Sequence, residues 1–268
     1  MGNWKILIAD LYCERLAIKP ATVNEKSLSA TILRWEHGII DAEKRNGVSI
    51  AKMYNDVLSE SDQEIICFGN KDTRFGDREL ALASDLHRTY EEEDILIFRV
   101  VNRAQKWLRL YDDKEYAVGI ESLNDILPFE ITLKSQKIRE YGLRFNEHFG
   151  PAGKFHYGLF RVFLHDAFYK GLKIKYLPYS LATQEIEADR KAEPSLTRFY
   201  STGAAYCCSK GFDAVLQYLN YYMDKVYTNE FESENVSEIY YLRADSFLKG
   251  ACDYRALLNS SAVKSKMD

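Results

Sequence analysis

Four short apolar runs constrain this chain more than any other feature. They are WKILIA (Trp4–Ala9), EIICFG (Glu64–Gly69), DILIFRVV (Asp94–Val101) and LKIKYL (Leu172–Leu177). Each has the length of a strand, and DILIFRVV is the richest in β-branched residues. Continuous apolar strands belong to sheets covered on both faces. The intervening segments supply the cover. Ile50, Met53, Tyr54, Val57 and Leu58 form one stripe at helical spacing over Ser49–Ser59, with Ser49 as a candidate N-cap. A second helix is expected over Arg78–Glu92, through Leu80, Ala83, Leu86 and Tyr90. A third, strongly apolar, is expected over Leu159–Lys170, stopped by Gly171.

The remaining segments are less uniform. Residues 21–35 show no clear period. FEITLK (Phe129–Lys134) alternates as a half-buried strand does. Residues 102–125 are polar and irregular, suited to loop or edge structure. Residues 142–158 hold four glycines and a proline among aromatics, which predicts a loop beside a packed surface. No strand is expected past about residue 180. After Pro194, Phe212, Val215, Leu216, Leu219, Tyr222, Met223 and Val226 form a long amphipathic stripe, and residues 235–249 predict a further helix. The expected architecture is α/β: a mostly parallel, Rossmann-like sheet flanked by helices over residues 1–193, with a helical C-terminal extension over 194–268.

Length and composition narrow the function. A chain of 268 residues, 46% hydrophobic and 28% charged, can bury a sizeable core. The net charge of −4 argues against a general nucleic-acid binder. The acidic run Glu91–Asp94 reads as a solvated helix end. Five cysteines are scattered without a CxxC pair, so neither zinc nor a disulfide framework is expected, and a reducing compartment is. No signal peptide is expected, and no run approaches the ~20 apolar residues of a membrane span.

The stretch IICFGNKDTRF (Ile65–Phe75) carries the chemistry. A buried strand stops at Gly69, and Asp72 follows two residues after Asn70. In open α/β sheets, ligands bind outside the carboxyl ends of strands, where a carboxylate can hold a metal and phosphates. Asp10, at the end of the first strand, could hold a base or ribose or simply end the strand. Trp35 and Trp107 could stack on a sugar or base, or pack in the core or at its rim.

Three stretches in order resemble a bacterial family 2 glycosyltransferase of the GT-A fold. GVSIAKMYN (Gly47–Asn55) with Ile65–Phe75 resembles the helix carrying a Ser and an Asn, followed by the strand ending in the DxD motif. ITLKSQKIREYGLRFNEHFGP (Ile131–Pro151) resembles the acceptor-side segment leading to FDExFG. YGLFRVFLHDAFYKGLKIKYLP (Tyr157–Pro178) resembles the helix and strand that open with GED. FLKGACDY (Phe247–Tyr254) is similar to the tail of many capsule and lipopolysaccharide transferases. The resemblance implies a GT-A-like sheet, a UDP- or GDP-sugar donor, a divalent metal (Mg2+ or Mn2+) and transfer of the sugar to a hydroxyl of a polysaccharide or lipid-linked acceptor. It also implies work in the cytoplasm, where sugar nucleotides are, or at the inner face of the membrane. The helical tail could contact that membrane or a second copy of the chain; with no Lys/Arg-rich face, it favours packing or dimerisation.

The motifs depart from the family pattern. The DxD slot reads Asn70-Lys71-Asp72, so Asp72 and the carbonyl oxygen of Asn70 are the metal candidates. Lys71 either points at the diphosphate as a point charge or is solvated. The GED slot reads Gly158-Leu159-Phe160, with no carboxylate. His156, Asp166 and Glu147, with His165 beside them, are the candidate stand-ins for the base. These losses also motivate an alternative: a catalytically inactive relative that binds or scaffolds.

Overall fold

The computed structural model describes residues 6–10, 17–22, 29–34, 49–61, 63–70, 72–185, 195–227 and 237–264. Strand β1 (Ile6–Asp10) is followed by β2 (Ala17–Thr22) and β3 (Ser29–Arg34), an antiparallel pair of which β3 lies in the 21–35 segment that shows no clear period in sequence. Helix α1 (Ile50–Glu60) leads to β4 (Ile65–Gly69) and the two-residue β5 (Thr73–Arg74). Helix α2 (Asp77–Thr89) precedes β6 (Ile95–Asn102). The irregular segment holds β7 (Tyr116–Ala117) and a 3-10 turn at Ile120–Asp125. β8 (Ile131–Lys134), α3 (Ser135–Glu140), α4 (Leu159–Tyr169) and β9 (Ile174–Gln184) follow. The tail forms α5 (Leu196–Lys210), α6 (Phe212–Tyr227) and α7 (Ser237–Lys264).

The strands form one sheet in the order β2–β3–β1–β4–β8–β6–β9–β5, with β7 paired to β9. The expectation of a mostly parallel sheet is corrected here: the sheet is mixed. β8 lies antiparallel between β4 and β6, and β2, β5 and β7 are also antiparallel to their neighbours. β1, β3, β4, β6 and β9 nonetheless run in one direction. β9 continues past Pro178 to Gln184 because its register with β6 shifts on either side of Arg99, and a bulge there accommodates proline.

The contacts divide the chain into two compact units. The first holds the sheet, with residues Met1–Val48, Lys52–Phe145 and Phe163–Arg190. Thr132 is level with both Cys67 and Leu96, so these three side chains share a face. Helix α2 covers that face: Ala83 and Leu86 pack with Leu96, Phe98, Leu177 and Leu181. On the other face Tyr54 of α1 meets Phe68 edge-on at 5.4 Å, and Phe145 stacks on Phe163 at 4.0 Å. Asn55 ties α1 to the 145 region through both amide atoms, donating to Phe145 O at 2.9 Å and accepting its N–H at 2.7 Å. Helix α4 ends as expected. Gly171 is left-handed (φ +86°), its N–H reaches Phe168 O, and Leu172 N–H reaches Ala167 O at 3.0 Å, a Schellman closure.

The second unit comprises Ser49–Ala51, Asn146–Val162 and the chain from Lys191. Helices α5 and α7 cross closely at Gly203 and Gly250. A Cβ on Gly203 would lie 1.9 Å from Phe247 O, and one on Gly250 would lie 1.8 Å from Tyr200 O. Phe149 and Phe155, both fully buried, anchor the glycine-rich loop against Tyr254 and Tyr200. Asn146 Nδ2 donates to Tyr254 Oη at 3.4 Å, fixing the start of that loop. No helix among the described residues is long and apolar enough to cross a membrane.

Candidate functional site

The chain order of the parallel strands sets a topological switch point. From β1 the chain proceeds to β3 on one side, then crosses to β4 on the other side of β1. The connections leaving the carboxyl ends of β1 and β4 therefore diverge, and such a switch point opens a hollow at that edge. Asp10 ends β1 and is level with Gly69, the last residue of β4. The two donor-side candidates identified in sequence, Asp10 and the 70–72 segment, thus meet at one edge. Lys71 and Trp35 lie outside the described residues.

The turn after Gly69 is built by Asn70. Its Oδ1 accepts the Asp72 N–H at 2.9 Å and the Gln184 Nε2–H at 3.1 Å, and lies 2.8 Å from the Thr73 hydroxyl. The Asn70 N–H donates to Thr73 Oγ1 at 2.9 Å. This is an Asx turn reinforced by the end of β9. The amide oxygen is spent on internal donors, so Asn70 shapes the turn, and Asp72 is the described carboxylate of the motif. Asp72 is held through its backbone: its carbonyl accepts Glu185 N–H at 2.7 Å. Its half-buried carboxylate has no hydrogen bond or ion pair among the described residues. The nearby cation Arg74 is engaged twice by Glu185, at 3.0 and 3.1 Å.

One carboxylate does not hold a divalent ion by itself, and no group of three His, Cys, Asp or Glu among the described residues could do so. Mg2+ and Mn2+ are commonly held by one or two carboxylates together with substrate phosphates and water. The donor set at Asp72 therefore fits such an ion when a diphosphate supplies the remaining ligands.

The acceptor-side candidates fall in two places. Glu147 and His156 are exposed residues of the glycine-rich loop. Asp166 lies two turns into α4, half-buried, and burial raises its carboxyl above the ordinary range while Lys170 pulls it down. His165 is fully buried. Where the resemblance would place GED, Gly158 is left-handed (φ +97°), and Leu159 and Phe160 are both buried, 5% and 7% exposed.

Sequence reasoning missed Thr73 and Gln184, which lock the Asn70 turn; Gln184 is 114 residues away from Asn70, and no local pattern signals the pairing. It also missed the buried charges behind the β6 loop. Glu130 is fully buried and accepts both Arg109 Nε–H and Nη2–H at 2.8 Å and the Tyr111 hydroxyl at 2.7 Å. Burial and this carboxylate push the Tyr111 hydroxyl well above its usual range. Trp107 is half exposed, with the Arg99 guanidinium 5.0 Å over its ring.

No protein-family model and no curated protein sequence matches the chain. Among solved structures, S. aureus TarS 1-349 is similar at 9% identity and a TM-score of 0.48, over 95% of this chain and 92% of that one. The same fragment in complex with UDP-GlcNAc gives 10% and 0.49 over the same shares. A mycobacterial protein gives 12% and 0.43, over 77% and 73%. Likeness this remote carries neither substrate nor mechanism.

Proposed function

We propose that this chain is a glycosyltransferase that binds a UDP- or GDP-sugar at the edge between β1 and β4 and transfers the sugar to a hydroxyl of a polysaccharide or lipid-linked acceptor. The observation that carries this reading is the Asp72 carboxylate. It follows three residues after Gly69, the β4 residue level with the end of β1, and has no described ion pair. The ordered motifs of the family 2 pattern, of which Asp72 is the retained acid, support it.

In this reading Asp10 holds the nucleoside, and Lys71 adds a point charge at the diphosphate. A divalent ion held between Asp72 and the phosphates would supply charge neutralisation for the leaving nucleoside diphosphate. Asn70, Thr73 and Gln184 fix the backbone that aims Asp72. The base is drawn from Asp166, His156 and Glu147; burial raises the Asp166 carboxyl above its ordinary range. The enzyme works in the cytoplasm or at the inner membrane face, and the helical tail offers a surface for a second copy.

One observation favours a second reading. The buried Leu159 and Phe160 leave the GED slot without a base, as in a non-catalytic binding or scaffolding relative. Incubation with UDP-, GDP- and CMP-sugars, Mg2+ or Mn2+ and a hydroxyl acceptor separates the two. Turnover that falls at least a hundredfold in Asp72→Ala is expected for the enzyme. Nucleotide binding without turnover indicates the binding relative. No binding of any nucleotide rejects both.

A further inference from the structure

We infer that the hairpin following β6 docks on an anionic lipid bilayer surface. Its stem is regular: Val101 bridges to Trp107, and Leu108 N–H reaches Val100 O at 3.0 Å. Its tip is a tight turn. Asn102 N–H donates to Lys106 O at 2.8 Å, Asn102 Oδ1 accepts Lys106 N–H at 2.9 Å, and Gln105 adopts a left-handed conformation (φ +58°). Beyond the tip, two buried anchors hold the chain. Glu130 grips Arg109 and Tyr111, and Arg99 grips the Asp112 carbonyl and, at 2.8 Å, Asp113.

Between these anchors Leu110 is 95% exposed, more than any other large apolar side chain among the described residues. Trp107 presents the half of its surface not covered within the protein. A leucine whose neighbours Arg109 and Tyr111 are both held by Glu130 sits on a fixed backbone, so docking it costs little conformational entropy. Arg103 and Lys106 lie in the turn that precedes these two side chains. Both are exposed and make no ion pair among the described residues. The acids farther along are answered: Asp113 by Arg99, and Glu115 by Lys175 at 3.2 Å and by the Tyr90 hydroxyl. Asp112 hydrogen-bonds Tyr116, and Lys114 stands beside it.

An exposed indole beside the turn and an exposed leucine three residues beyond it, with two cations in the turn that make no described ion pair, suit lipid. The indole sits at headgroup level, the leucine enters the acyl boundary, and the cations meet lipid phosphates. The same tip is too small for a protein interface, which needs about 800 Å² per partner. Because β6 runs parallel to β1 and β4, its hairpin leaves the edge that carries Asp72. The inference stands independently of sugar transfer.

The test uses the full chain and vesicles of phosphatidylcholine with or without about one-quarter phosphatidylglycerol. Sedimentation is expected to show binding to the anionic vesicles alone, weakened by salt. Leu110→Glu should weaken it at least about tenfold. Arg103→Gln and Lys106→Gln should each weaken it about fivefold. The Trp107 emission should shift to the blue on binding, a shift lost in Trp107→Phe. All four side chains are exposed, and a circular dichroism melt checks folding. No binding, equal binding to neutral vesicles, or binding that Leu110→Glu and the glutamine variants leave unchanged overturns the inference. So does self-association through Leu110 without vesicle binding.

Discussion

Three polar residues, Glu130, Thr132 and Lys134, alternate with apolar ones and read in sequence as the wet side of a half-buried strand. All three are buried. Thr132 lies 2.7 Å from His87 Nε2, Lys134 Nζ donates to the last carbonyls around α2 at Tyr90 and Glu91, and Glu130 holds Arg109 and Tyr111. Alternation located the strand but not its second cover, because partners from distant segments make a polar face compatible with burial. The cost of removing one partner follows. Glu130→Ala leaves a guanidinium and a hydroxyl without their acceptor and should lose about 3 kcal/mol in urea unfolding, near the low end for a broken buried pair because Arg109 is 28% exposed. His87 gives a pH signature. Burial, and secondarily Lys134, lower its pKa to about 3, whereas the unfolded chain titrates near 6.5. The folded protein binds fewer protons there, so this stability is full above pH 6.5 and is lost as pH falls toward 3. His87→Gln should remove about 2 kcal/mol of the stability difference between pH 6.5 and pH 5, read as a smaller change in urea midpoint than the parent shows.

At the scale of elements, the legible helices were those whose buried face is made of large residues. Helix α5 was not legible, because its buried positions are Ser201, Gly203, Ala204, Ala205, Cys207 and Ser209. Small residues give no hydrophobic period, yet they are what a close crossing with α7 requires. Helix α7 was expected only to residue 249 and runs on to Lys264. The β2–β3 pair was hidden by mixed propensities and a proline, Pro20, within β2. The α5–α7 crossing makes a signed prediction. In an open helix, glycine to alanine gains about 1 kcal/mol. Here the new methyl would meet backbone carbonyls under 2 Å away at both sites, and backbone yields only if the helices separate. Gly203→Ala and Gly250→Ala should each destabilise the helical unit by about 2 kcal/mol or more, seen as a lower thermal midpoint. Unchanged or raised midpoints would contradict the crossing.

For the whole molecule, the end of β4 and the turn that carries Asp72 were legible because they depend on local signals, an apolar run stopped by glycine with an acid two residues beyond Asn70. Their relation to Asp10 was not, because that pairing follows from the order in which strands enter the sheet. The inserted β8 was equally hidden, since nothing in FEITLK states its direction. The assembled edge makes a thermodynamic prediction that does not depend on catalysis. A ligand that binds only the folded chain stabilises it by RT ln(1 + [L]/Kd), about 2.7 kcal/mol at a hundredfold excess over Kd. For a sheet unit of this size that raises the melting midpoint by roughly 5–10 °C. A nucleoside diphosphate with Mg2+ or Mn2+ should produce this shift. Asp72→Ala should abolish it, yet leave the ligand-free midpoint within about 0.5 kcal/mol of the parent, since the carboxylate makes no described contact. Asn70→Ala should behave differently. It removes the acceptor for the Asp72 N–H and the Gln184 amide, so it should lower the ligand-free midpoint as well as the shift. Equal shifts in the parent and in Asp72→Ala would place the nucleotide away from this edge.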